Sequence, residues 1–133
     1  MVKFNEVMEA GRAKMLSPVV LAFVGDAAYS LYVREGLVFG SEHKTGELQK
    51  RASALVSAKG QAKLFSEIES RLTETEREIF LRGRNAKKPT KSKAATVAEY
   101  NVSTGFEAVI GYLYLTGDYR RIDELLSAVN DED

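Results

Sequence analysis

PVVLAFVGDAAYSLYV (Pro18–Val33) and YNVSTGFEAVIGYLYL (Tyr100–Leu115) decide how this chain folds. Each runs for sixteen mostly apolar residues with one charge near its middle, Asp26 in the first and Glu107 in the second. Elsewhere the charge is dense, at 29% Asp, Glu, Lys and Arg over the whole chain. Apolar residues cover nearly the whole circumference of the first segment as a helix, which predicts a central, buried element. A lone carboxylate in a core segment is costly unless something pairs with it. Two such carboxylates point to a shared partner, and a divalent cation is the simplest. Gly25 beside Asp26, and Gly105 and Gly111 around Glu107, would let another backbone or a ligand come close.

Working outward from these two segments, the local signals are helical. Ser17-Pro18 reads as a cap followed by a first-turn proline, with the helix expected to run to about Glu35 and end at Gly36. A polar connection from Gly40 to Gly46 leads to an amphipathic helix from about Glu47, with Leu48, Ala52, Leu55 and Val56 on one face. Ser57 is placed to cap a further helix carrying Ala58, Ala62, Phe65 and Ile68. Thr73–Glu76 and Thr96–Glu99 each read as a capping box, the first opening a short helix to about Leu81, the second the Glu107 segment. Between them, residues 82–95 contain Gly83, Asn85 and Pro89 and read as a loop. The Glu107 helix should stop near Thr116-Gly117, and Asp118 should cap a last helix with Ile122, Leu125, Leu126 and Val129 in register. No strand or repeat stands out, so the fold class is all-α, in a single domain over residues 1–133.

The bulk composition narrows the function. The 133 residues carry 19 basic and 19 acidic side chains, and zero net charge argues against a wholly basic nucleic-acid binder. The charge is nevertheless segregated. RGRNAKKPTKSK (82–93) holds Arg82, Arg84, Lys87, Lys88, Lys91 and Lys93 without an acid, and the chain from Asp118 onward is acidic, with residues 130–133 expected to be disordered. The absence of cysteine excludes disulfides and thiolate metal sites. The first residues lack the apolar core of a signal peptide, and neither apolar segment reaches the about 20 residues of a membrane span. These features place the protein in the cytoplasm, away from membranes.

Asp26 and Glu107 are the candidate catalytic and metal-binding residues. Their neighbours one helical turn away are small: Ala22 and Ser30 for Asp26, Ser103 and Gly111 for Glu107. If the two helices cross near their midpoints, the carboxylates could face one another and offer hard oxygen ligands suited to magnesium or manganese. Such an ion can activate water against a phosphodiester and offset the developing charge. The plainer alternative is that each acid accepts an N–H bond or joins a buried ion pair. The basic run also has two readings, a solvated connector or a phosphate-binding surface. It lacks aromatic residues for stacking on single strands, which favours a duplex read by shape and phosphate. Lys59 and Arg51, with Lys50 and Lys63, could widen that surface. His43 has no histidine or cysteine partner nearby and reads as a surface residue. The tyrosines read as core or interface material.

At this point a family resemblance appears. LAFVGDAAYSLYVRE (Leu21–Glu35) resembles the signature helix of the ribonuclease III catalytic domain, and STGFEAVIGYLYLTGD (Ser103–Asp118) resembles its second metal-binding helix. VSAKGQA (Val56–Ala62), RGRNAK (Arg82–Lys87) and YNVST (Tyr100–Thr104) resemble the short subfamily, Mini-ribonuclease III, which lacks a double-stranded-RNA-binding domain. The resemblance implies an all-helical homodimer that cuts both strands of double-stranded RNA with magnesium, or manganese in its place, leaving 5′-phosphate and 3′-hydroxyl ends. It implies maturation of the large-subunit (23S) ribosomal RNA precursor, with a ribosomal protein as a possible helper. By motif position Asp26 and Glu107 are its metal ligands, and Arg84, Asn85, Lys87 and Lys88 its RNA contacts. Full-length members carry further acids where this chain has Val19, Ala22 and Thr104. Thr104 could still hold a metal-bound water through its hydroxyl. Two other functions stay open on the residues alone: a helical module that binds structured RNA without cutting it, and a helical domain whose basic segment meets an acidic protein.

Overall fold

The computed structural model describes residues 2–40, 44–88 and 95–130 of the chain. All regular structure among them is helical: α1 (Ala10–Lys14), α2 (Pro18–Gly40), α3 (Thr45–Val56), α4 (Ala58–Ile68), α5 (Glu74–Asn85), α6 (Val97–Leu115) and α7 (Tyr119–Asn130), with a 3-10 turn over Glu69–Arg71. His43, Lys91, Lys93 and the tail 131–133 lie outside the described residues. The expected start signals are in place. Ser57 accepts from Gly60 N–H at 3.0 Å. Thr73 and Thr96 each close a capping box, with Glu76 and Glu99 respectively. Asp118 Oδ1 accepts from Arg121 N–H at 3.2 Å at the head of α7.

The two apolar helices do not play equal parts. Helix α6 is the axis: it packs against α1, α2, α4, α5 and α7, and buries every residue from Ser103 to Leu113 except the half-buried Glu107. Helix α2, expected to be buried all round, buries only Leu21, Ala22, Gly25, Tyr29 and Val33. Its other side carries exposed Val20, Phe23 and Leu31, because no element among the described residues covers it. It also runs past Gly36 to Gly40 instead of stopping there. A helix-interior glycine costs only about 1 kcal/mol, and Leu37 beyond it packs on the core.

Glycine sets the closest approach in the molecule. A methyl group on Gly25 would overlap the carbonyl oxygen of Glu107, and one on Gly111 would overlap the carbonyl oxygen of Leu21. Each helix therefore presses backbone on backbone against the other at two points, one helical turn apart on each. Around this crossing the aromatic core closes: Tyr29 meets Phe106 edge-on at 5.1 Å, and Phe65 stacks on Phe80 at 4.0 Å. The Tyr29 hydroxyl donates to Leu55 O at 3.0 Å, tying α2 to α3.

Helix α5 continues through Arg82, Gly83, Arg84 and Asn85, so the first four residues of the expected loop are helical. Arginine is a good helix former, and its charge suits a helix C-terminus. Gly83 is kept there by contact with Gly105, where a Cβ would come within 2.8 Å of the Gly105 Cα. Arg82 donates to the Lys14 and Leu16 carbonyls, both at 3.1 Å, and so closes the end of α1. At the other end of α5, Glu76 receives a two-pronged ion pair from Arg121, both contacts 2.9 Å, which docks α7.

Replacing Gly25 or Gly111 by Ala should destabilise the protein by about 1–3 kcal/mol, as overpacking of a tight contact does. Gly46, near the start of α3 and without a neighbour within 4 Å, is the control. Gly46→Ala should leave the melting temperature unchanged or slightly raised. Thermal melts that rank all three variants alike would contradict the crossing as described.

Candidate active site

The crossing delivers two carboxyl groups to one place. Gly25 is covered by the Glu107 carbonyl, and Asp26 is the next residue on α2. The Asp26 and Glu107 carboxyl groups consequently stand within hydrogen-bonding reach of one another. They line an open cavity of about 360 Å³ between α2 and α6, together with Gln61, Lys88, Tyr100 and Thr104. The two acids differ in setting. Glu107 is half-buried, whereas Asp26 is exposed, so the expected burial holds for one and not the other. Asp26 sits one position past the core-facing Gly25, which turns it toward the cavity mouth. Its neighbour Phe23 lines the same cavity and is 81% exposed.

Burial pushes the Glu107 carboxyl up to about 8; a hydrogen bond from Gln61 works against the rise, and the charge of Asp26 adds to it. Two carboxyl groups in contact cannot both stay ionised without a proton or a cation between them. The remaining donors are also oxygens. Ser103 and Thr104 hydroxyls donate back to Tyr100 O at 2.8 and 3.0 Å, leaving their lone pairs free to accept. An all-oxygen set built on two carboxylates suits a hard cation that keeps most of its own water, and the residues fit such an ion. Among the described residues no group of three or more His, Cys, Asp and Glu is placed to hold a metal, so water and substrate would have to complete the shell of an ion bound here.

The cationic candidates divide. Lys88 reaches the cavity itself. Its ammonium donates to Arg84 O at 3.0 Å and Ala86 O at 2.6 Å, and burial lowers its pKa. Arg84, Asn85 and Lys87 stand exposed at the end of α5, with Arg84 Nε donating to Asn85 Oδ1 at 3.2 Å and its guanidinium 5.9 Å from the Phe80 ring centre. Lys59 is exposed in the first turn of α4, beside the cavity residues Ala58 and Gln61. Arg51 is spent on Glu47 at 3.2 Å on the surface of α3 and does not line the cavity.

One site residue escaped the sequence reading. Gln61 is 2% exposed, and its Nε2 donates to Glu107 Oε2 at 3.0 Å and to Val56 O at 2.9 Å. The signal was there in the register. The buried face of α4 is Gln61, Leu64, Phe65 and Ile68, one polar residue in an i, i+3, i+4, i+7 stripe; of the expected Ala58, Ala62, Phe65 and Ile68, the last two are buried and the two alanines only partly so.

Residues 19–118 match the Ribonuclease III domain, a span that contains both apolar helices, Asp26 and Glu107. The chain belongs to the ribonuclease III family. It is thereby an endoribonuclease acting on double-stranded RNA. It is 45% identical over 115 residues to the Mini-ribonuclease 3 of Streptococcus pneumoniae, covering 85% of this chain and 90% of that one. It is 44% identical over 116 residues to the Mini-ribonuclease 3 of Enterococcus faecalis, covering 86% and 88%. A Fusobacterium nucleatum protein of known crystal structure, 34% identical, superposes with a TM-score of 0.77 over 86% of this chain and 92% of that one. The short subfamily that the motifs resemble is thus also the one whose named members match most of the chain.

The raised pKa of Glu107 has a measurable consequence in chelator-treated protein. Between the ordinary glutamate range and about 8 the folded state holds a proton that the unfolded chain has lost. Stability from this group is therefore present at low pH and lost as pH rises through that window. Melting temperatures at pH 5.5 and 8.5 should fall more for the parent than for Glu107→Gln, which cannot titrate. An equal fall in both would place Glu107 outside this coupling.

Proposed function

We propose that this endoribonuclease is magnesium-dependent, with Asp26 and Glu107 as its cation ligands and catalytic residues. The observation that carries the reading is the approach of these two carboxyl groups to one another in a single open cavity between α2 and α6. Magnesium characteristically takes one or two protein carboxylates and fills its remaining positions with water and phosphate oxygens; manganese is an alternative. The ion supplies charge neutralisation at phosphorus and an activated water.

The chain's own groups do the rest. Asp26, exposed at the mouth, and Glu107, held from behind by Gln61, would hold the ion. The Thr104 hydroxyl, already donating to Tyr100 O, accepts a hydrogen bond from water in the cavity. Lys88 turns its ammonium from backbone carbonyls to an RNA phosphate. Arg84, Asn85, Lys87 and Lys59 extend phosphate contacts along the duplex, with Lys91 and Lys93 continuing the run in sequence. Arg51 can exchange Glu47 for phosphate at little cost, since exposed ion pairs are worth about 0–1 kcal/mol. Water adds in line to phosphorus and the bond to the 3′ oxygen breaks, leaving 5′-phosphate and 3′-hydroxyl ends.

The unit is a single domain that works as a homodimer. At 3.6 residues per turn, Val20, Phe23, Ala27 and Leu31 fall on one side of α2, exposed and next to Asp26. A second copy of the same face would cover them and set two sites about a two-fold axis, one for each strand of a duplex. The motif resemblance to the short subfamily implies the large-subunit ribosomal RNA precursor as substrate, with a ribosomal protein as helper, in the cytoplasm. No helix among the described residues is long and apolar enough to cross a membrane.

The test is cleavage of a long labelled RNA duplex with magnesium, with chelator, and by Asp26→Asn. Discrete fragments should require both the metal and Asp26, with the variant slowed about a hundredfold or more, at or above the loss expected for an outer-shell ligand partner. Duplex binding without metal-dependent cleavage would replace the nuclease reading by an RNA-binding module. Separately, light scattering should give twice the 14.7 kDa chain mass for the parent and a monomer for Phe23→Glu. A monomeric parent at micromolar concentration would contradict the dimer.

A further inference from the structure

Gln61 is an expensive residue where it stands. Its Oε1 is buried and has no hydrogen-bond partner among the described residues. A buried carbonyl left unpaired costs about 1–3 kcal/mol, and an apolar side chain of the same shape would avoid that cost. The amide cannot turn over to relieve it. Val56 O lies 2.9 Å from Nε2 and can only accept, so the nitrogen must face it. The same nitrogen then directs its second hydrogen to Glu107 Oε2 at 3.0 Å. The base of the side chain is equally fixed, since Gln61 N–H donates to Ser57 O at 2.9 Å in the first turn of α4. The result is a rigid strut that joins the last carbonyl of α3 and the first turn of α4 to one oxygen of the Glu107 carboxyl on α6.

We infer that Gln61 is a positioning residue for the reaction: it anchors Glu107 Oε2 so that the other carboxyl oxygen stays turned toward Asp26 and the cation. This inference rests on the assignment of Asp26 and Glu107 as cation ligands. A helix-joining role alone would not require it, because Leu64, Phe65 and Ile68 already hold α4 in the core. A group that holds a ligand by its far oxygen typically changes metal affinity or activity 10–100-fold when lost.

Gln61→Met separates the two roles. The variant keeps the length, removes the unpaired oxygen and should melt at or above the parent temperature. It should nevertheless bind manganese about tenfold more weakly in a calorimetric titration without RNA. Its kcat on duplex should drop 10–100-fold with KM for the RNA unchanged. A variant with parent manganese affinity and parent kcat would overturn the inference. A parent that cleaves only with metal but shows no Gln61 effect leaves the ligand assignment standing; a parent that neither binds manganese nor cleaves removes the assignment itself. A second measurement needs no mutation. The chain has two glutamines, Gln61 and the exposed Gln49, and four asparagines, so the side-chain amide spectrum contains six pairs, of which selective glutamine labelling isolates two. Saturating magnesium should shift the Gln61 pair and leave the Gln49 pair in place. An unmoved Gln61 pair at metal saturation would equally overturn it.

Discussion

The contact of α2 with α6 through Gly25 and Gly111 is the constraint on which the rest depends. It is made of backbone, with the Glu107 carbonyl over Gly25 and the Leu21 carbonyl over Gly111. Neither side tolerates even a methyl group, so the helices have one register and one separation. Asp26 follows Gly25 and Glu107 supplies the carbonyl that covers it, so the same contact that packs the core also brings the two acids together. Placement by main chain is stiffer than placement by side-chain rotamers, and the proposed cation site would need that stiffness. Gly83 against Gly105 repeats the device on the opposite flank of α6, and brings the basic end of α5 toward the site.

Much of this was legible in the residues. The two apolar segments, the serine and threonine caps and the stop at Thr116-Gly117 all follow from local chemistry, and the helices obey them. What local chemistry could not supply was which of two similar helices lies at the centre. Both are apolar on nearly every side; only the count of packed neighbours distinguishes α6 from α2, and that is a property of the assembled chain. Asp26 shows the same gap, since an acid in an apolar run reads as buried whether or not the face it occupies is covered. Arg82 to Asn85 read as loop because glycine and asparagine weigh against helix, yet tertiary contact at Gly83 and the bonds from Arg82 to α1 outweigh those propensities. Gln61 was passed over because glutamine is ordinarily a surface residue; its place in the apolar stripe of α4 was the available clue.

The site is economical in charge. Among the described residues only Asp26 and Glu107 bring carboxylates to the cavity, and the positions that carry further acids in longer members of the family hold Val19, Ala22 and Thr104 here. Apolar and hydroxyl groups lower the local negative charge, and would leave more of a bound cation's shell to water and phosphate. With fewer ligands to average over, the orientation of each one matters more. On the proposed assignment, the buried amide behind Glu107 and the different settings of the two acids would have a common reason: one acid is fixed from behind, and the other would meet the ion at the mouth.

The most direct measurement is an anomalous difference map from crystals of the protein grown or soaked with manganese. The account predicts one strong peak per chain bridging the Asp26 and Glu107 carboxylates, with Gln61 still bonded to Glu107 on the far side. A map at full manganese occupancy elsewhere, with no density between these two residues, would contradict it.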